Sequence, residues 1–189
     1  MALCNPIANC GLRLDDEAIR VAVGLRLGSP LCTPHLCPCG ASVDASGIHG
    51  LSCKLSSARI LRHNALNDLI YRGLLRAGIP ATKEPSGLSR SDVKCPDGVT
   101  QWSSGKCLAW DVTVTDTLAP SYAHLSSISA GKAAERAAEN KVAKYSALSP
   151  FYSFTPVALE TLGPMSESTL SFLTSLGKKI SVVTGDPQE

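Results

Sequence analysis

The segment KCPDGVTQWSSGKCLAWDVTVTD, Lys94 to Asp116, holds two β-prone runs on either side of a Trp102-Ser103-Ser104-Gly105 turn. Each run carries one aspartate: Asp97, directly after Pro96, and Asp111, inside the apolar run Leu108 to Val114. The pattern predicts a hairpin with a carboxylate on each arm. Strand alternation assigns Trp110, Val112 and Val114 to one face and Asp111, Thr113 and Thr115 to the other. A carboxylate in the middle of a good strand is costly unless something pairs with it. A divalent cation shared by the two groups is one solution; a pair of solvated hairpin aspartates is the other.

Downstream of the hairpin, Ser126–Leu148 is alanine-rich and predicts one long helix. Ala134, Ala138, Lys141, Tyr145 and Leu148 share a face of it, so Lys141 sits on an otherwise apolar stripe. Its ammonium either snorkels to solvent or serves a site. Residues 151–161 are aromatic and β-branched and predict a strand, with Pro156 marking an edge or bulge. An amphipathic helix from Ser166 to Lys179 follows. Upstream, Ser56–Ala77 predicts a helix ended by Gly78 and Pro80, and Ile79–Glu84 a short strand. Residues 12–27 predict a further helix, with Leu14, Ala18, Val21 and Leu25 as its packing stripe. Three successive strands, a crossover helix and a fourth strand make an α/β mixed sheet with helices on its faces.

Between the first two helices lies CTPHLCPCGASVDASGIHGLSC. Cys37-x-Cys39, nine intervening residues, His49, three more and Cys53 supply three thiolates and an imidazole, a full tetrahedral zinc set. Cys32 or His35 could replace one ligand, and His63, on the following helix, is either a late ligand or a capping and packing residue. Four protein ligands leave no open position, so the expected zinc is structural. The local clustering of four of the eight cysteines suits metal better than disulfides. Three regions follow: a linker helix over 1–30, a zinc module over 31–55 and an α/β domain over 56–189.

The formal net charge is only +2, yet Lys54 to Lys94 holds eight basic against three acidic residues. Arg59, Arg62, Arg72 and Lys94 are the candidates for meeting phosphate; a solvated helix face is the alternative. No apolar run approaches a membrane span and no signal peptide is evident, so the expectation is an intracellular protein, nuclear or cytoplasmic.

The helix–three-strand–helix–strand order, the Pro-Asp at 96–97 and an acidic residue thirteen intervening positions later resemble the restriction-endonuclease-like (PD-(D/E)XK) superfamily. The blocks PHLCPCG, SGIHGLSC, RHNALNDLI, AGIPATKEPSGL, CPDG, WDVTVTDTLAPSY, AGKAAERAAENKVAKY and FTPVALETLG are similar, in order, to the C-terminal region of non-LTR retrotransposon polyproteins. There a Cys-Cys-His-Cys zinc module precedes a restriction-like endonuclease. The similarity runs from about Leu14 to Gly185.

The resemblance implies a metal-dependent DNA endonuclease that nicks a target site in double-stranded DNA. Asp97 and Asp111 would hold Mg²⁺ or Mn²⁺ and Lys141 would supply the lysine, with Lys144 behind it. Element RNA would be a further partner, met through domains that this sequence does not include, such as the reverse transcriptase. Two departures stand out: Cys95 occupies the place of a basic residue before the Pro-Asp, and Thr113 that of a strand lysine. They support the competing expectations of a non-catalytic, zinc-containing nucleic-acid-binding module or a degenerate retroelement remnant. Glu84 is a third candidate carboxylate or a surface residue.

Overall fold

The computed structural model describes residues 14–86, 88, 95–103, 105–146 and 150–186. The chain divides into two compact units, Met1–Ser56 and Ser57–Glu189. In the first, α1 (Asp16–Leu27) starts where Asp15 Oδ1 accepts the Ala18 N–H at 2.7 Å, and ends at Gly28 in the left-handed region. The chain then turns back so that Leu31 packs on Gly24, where a Cβ would lie 2.3 Å from the leucine side chain. A two-residue hairpin, β1 (His35–Leu36) with β2 (Ser42–Val43), precedes the single turn α2 (His49–Ser52).

The second unit runs α3 (Ala58–Arg76), β3 (Ala81–Lys83), β4 (Gly98–Ser103), β5 (Lys106–Thr115), α4 (Pro120–Ile128), α5 (Lys132–Lys144), β6 (Tyr152–Glu160) and α6 (Glu167–Thr184). The sheet order is β3-β4-β5-β6, with the first two joins antiparallel and the last parallel. This is the mixed four-stranded sheet that the element order predicts. Pro156 sits in β6, at the sheet edge, where a missing N–H costs no ladder bond on the outer side.

The long helix expected over Ser126–Leu148 is two helices. The break falls where Ser129 is extended and Gly131 takes φ 88°, a conformation open to glycine at little cost. Pro120 at the first position of α4 starts the crossover earlier than alanine content suggests. Leu148, the last member of the expected stripe, lies outside the described residues.

Both faces of β5 are covered. Leu108, Trp110 and Val112 pack with Ile70 and Leu74 of α3 and with Phe172 and Leu176 of α6. The Trp110 indole N–H donates to Asn67 Oδ1 at 2.9 Å, which satisfies its one donor in the core. On the other face Ala134, Ala137 and Ala138 of α5 meet Ala158 of β6. The alanines allow the helix backbone to approach the sheet closely. Asp111 therefore lies under a helix and is 3% exposed, so it is not a solvated hairpin aspartate.

Trp110 also presses on Gly98, its partner across the β4–β5 ladder, where an added Cβ would stand 2.0 Å from the indole ring. Gly98→Ala is expected to cost about 3 kcal/mol, the upper end for overpacking, because the ring cannot move without losing Asn67. A denaturant midpoint equal to that of the wild type would show that the ring has room to shift.

Candidate functional site

Asp97 stands one residue before β4. Because Gly98 pairs with Trp110, the next antiparallel step sets Asp97 across from Asp111 on the central strand. Asp97 Oδ2 accepts the Val112 N–H at 2.6 Å and lies 3.0 Å from His63 Nε2. Its carbonyl accepts the Glu84 N–H at 2.9 Å, so residue 84 touches the site through its backbone while its side chain is exposed.

Asp111 is engaged from α5 and its C-cap. The Lys141 ammonium lies against Oδ2, and Tyr145 Oη is 3.1 Å from Oδ1. The Tyr145 hydroxyl is also 2.9 Å from the Cys95 carbonyl and accepts from Lys144 Nζ at 2.7 Å. It has one proton to donate, shared between Cys95 O and Asp111. Lys141 thus turns inward to a carboxylate and does not snorkel to solvent.

Burial pushes the Asp111 carboxyl above the ordinary carboxylate range, and the negative charge of Asp97 pushes the same way; Lys141 and Lys144 oppose them. The hydrogen bond and charge of Asp97 hold the His63 imidazole more basic than usual against the opposing effect of burial. Asp111 therefore senses the charge of Asp97, the α5 lysines oppose that effect, and His63 faces Asp97 from α3. Among the described residues, Asp97, Asp111 and His63 do not form a group of three donors at metal-ligand spacing; the one group so gathered is in the N-terminal unit.

The surrounding basic residues are placed unevenly. Arg59 is exposed and Arg62 half-buried on α3. Arg72 Nε lies 2.9 Å from Asp68 Oδ2, and Lys83 Nζ takes the other oxygen at 2.7 Å, which makes an exposed ion-pair cluster on the surface. Lys94 lies outside the described residues. Two contributors were not assigned to this site by sequence reasoning. Tyr145 shares the stripe with Lys141, a signal that was present; His63 had no local signal linking it to Asp97.

In the N-terminal unit, Cys37, Cys39, His49 and Cys53 place one donor atom each within 4.8 Å of all the others. Cys39 Sγ is 3.2 Å from His49 Nε2 and Cys37 Sγ 3.6 Å from Cys53 Sγ. Tetrahedral zinc, with Zn–S about 2.3 Å and Zn–N about 2.0 Å, needs edges of roughly 3.5 and 3.7 Å, close to these. The hairpin turn brings Cys37 and Cys39 together, with the Cys37 N–H donating to Ala41 O at 2.9 Å; one turn of α2 brings His49 to Cys53. The backbone N–H of Ala41 holds the Cys39 thiol below its usual pKa, favouring the thiolate a metal needs. Cys32 instead bonds Asp44 O at 3.3 Å and His35 Nδ1 is 2.9 Å from Thr33 O, so neither substitute ligand belongs to the cluster. The four donors are arranged to bind zinc.

No protein-family model matches the chain, and no curated protein matches it. Among the described residues no helix is long and apolar enough to cross a membrane.

Proposed function

We propose that the C-terminal unit is a restriction-endonuclease-like domain that cleaves one strand of double-stranded DNA, of the kind that resembles the endonucleases of non-LTR retroelements. One observation carries the reading: a lysine from the crossover helix, Lys141, meets a buried aspartate on the central strand, and a second aspartate lies across the ladder. A buried carboxylate paired with lysine beside a like-charged neighbour is the kind of perturbed cluster found at functional sites more often than elsewhere.

Asp97 and Asp111 are hard oxygen donors and would hold Mg²⁺ or Mn²⁺. Burial first and the Asp97 charge second raise the Asp111 pKa, and a bound cation would offset both. The chemistry such an ion would supply is Lewis-acid polarisation of the scissile phosphate and acidification of the attacking water. Lys141 stabilises negative charge growing on the phosphoryl oxygens as water attacks phosphorus and the 3′ oxygen leaves. Tyr145 keeps Asp111 oriented, and Arg59 and Arg62 on α3 face the DNA backbone. The zinc module is a scaffold. In a complete element the nick would prime reverse transcription, and element RNA would be met through other domains.

The test is nicking of supercoiled plasmid with Mg²⁺ or Mn²⁺. The wild type is expected to relax the plasmid and the Asp97→Ala/Asp111→Ala variant to fall to the no-enzyme background; equal nicking by both would defeat the assignment. A second reading, a non-catalytic nucleic-acid-binding module, is favoured by the closure of Asp111, whose two oxygens already face Lys141 and Tyr145. Salt-dependent DNA binding without cleavage under either ion would select it.

A further inference from the structure

The nuclease chemistry makes no use of His63, although its imidazole contacts Asp97. We propose that His63 is a positioning residue that orients the Asp97 carboxylate for a divalent cation. This rests on the reading of Asp97 as a metal-holding group.

The geometry supports it in three ways. Asp97 lies just outside β4, following Pro96, so the ladder itself does not fix its side chain. Two donors from separate elements converge on a single oxygen, Oδ2: the Val112 N–H of β5 at 2.6 Å and His63 Nε2 of α3 at 3.0 Å. With Oδ2 held, Oδ1 is the oxygen left to offer a cation. The third support is where His63 sits on its helix. His63, Asn67, Ile70 and Leu74 form one stripe of α3; Ile70 and Leu74 are core residues, and Asn67 bonds Trp110. The hydrophobic core therefore sets the height and rotation of α3, and His63, one turn before Asn67, is delivered to Asp97 as a consequence. Hydrogen bonds to a ligating carboxylate from outside the coordination shell typically change metal affinity 10–100-fold. An imidazole serving only fold stability would change none of it.

The experiment titrates the full, zinc-loaded chain with Mn²⁺, read by isothermal calorimetry and by electron paramagnetic resonance of the bound ion. Asp97→Asn identifies the site. His63→Ala is expected to weaken Asp97-dependent Mn²⁺ binding about 10–100-fold, and His63→Gln, whose amide N–H can still donate to Oδ2, to bind within a few-fold of the wild type. Unchanged affinity in His63→Ala, whatever its thermal midpoint, overturns the role and leaves the nuclease reading standing. So does tighter binding, which would make His63 a competitor of the cation. A ¹⁴N coupling from His63 to bound Mn²⁺ would make it a ligand and overturn positioning as well. If Mn²⁺ binding does not depend on Asp97 at all, this inference and the nuclease reading fall together; plasmid nicking by the wild type tests the latter alone.

Discussion

Stripping the metal from Cys37, Cys39, His49 and Cys53 is expected to unfold residues 14–56 and to leave the four-stranded sheet intact. The N-terminal unit has very little core: Gly24, Val43 and Cys53 are its buried residues among those described. Leu27, Leu36 and Leu55 are 73%, 76% and 61% exposed, and its strands are two residues long. Fully burying one valine contributes about 2 kcal/mol, whereas ordering each residue costs about 1–2 kcal/mol. Zinc bound by the four donors would supply the difference. Structural zinc in comparably small modules contributes about 10–16 kcal/mol of apparent free energy near neutral pH.

Limited proteolysis with and without a strong chelator, followed by mass mapping, reads the outcome directly. Cleavage should concentrate before Ser57 in the chelated sample, and Cys53→Ser should behave like the chelated wild type without any chelator. Equal protection of residues 14–56 in both samples would show that the unit stands without its metal.

Lys141→Met is expected to destabilise the C-terminal unit by about 3 kcal/mol, and the double variant Asp111→Asn/Lys141→Met by clearly less. Asp111 is 3% exposed, and its Oδ2 faces only the Lys141 ammonium among the described contacts. Removing one member of a buried pair leaves the other charge uncompensated, which typically costs about 3–5 kcal/mol; Lys141 retains some solvent contact, so the lower end applies. Neutralising both partners removes that penalty.

The pH dependence has a definite sign. The folded-state pKa of Asp111 lies above the ordinary value, so the folded protein binds the extra proton between the two. Stability contributed at this site therefore falls as pH rises through that window, and more steeply in Lys141→Met, where the opposing ammonium is gone. Denaturant midpoints at acid and neutral pH for the single and double variants measure both effects. Equal losses in the two variants would mean that the ammonium and the carboxylate are not coupled.

Local patterns carried much of this protein. The zinc donors are all supplied within a short span of chain, so their spacing reports their meeting. Alternation around Asp111 identified its strand, and alanine content identified a helix downstream with Lys141 on its apolar stripe. The order of strands and helices followed from periodicity and from the need to cover both sheet faces.

Periodicity states which side chains share a face and is silent about what lands on that face. Only packing decided that α5 settles over Asp111, because the depth of its approach depends on alanines 134, 137 and 138 meeting Ala158 across the crossover. Packing of α3 likewise brought His63 to Asp97, and a left-handed glycine at 131 split a run that composition alone made continuous. Spacing along the chain determined the metal cluster because its ligands are near neighbours; the acidic site joins residues from α3, β5, α5 and the approach to β4, and only the tertiary structure could choose which of them meet.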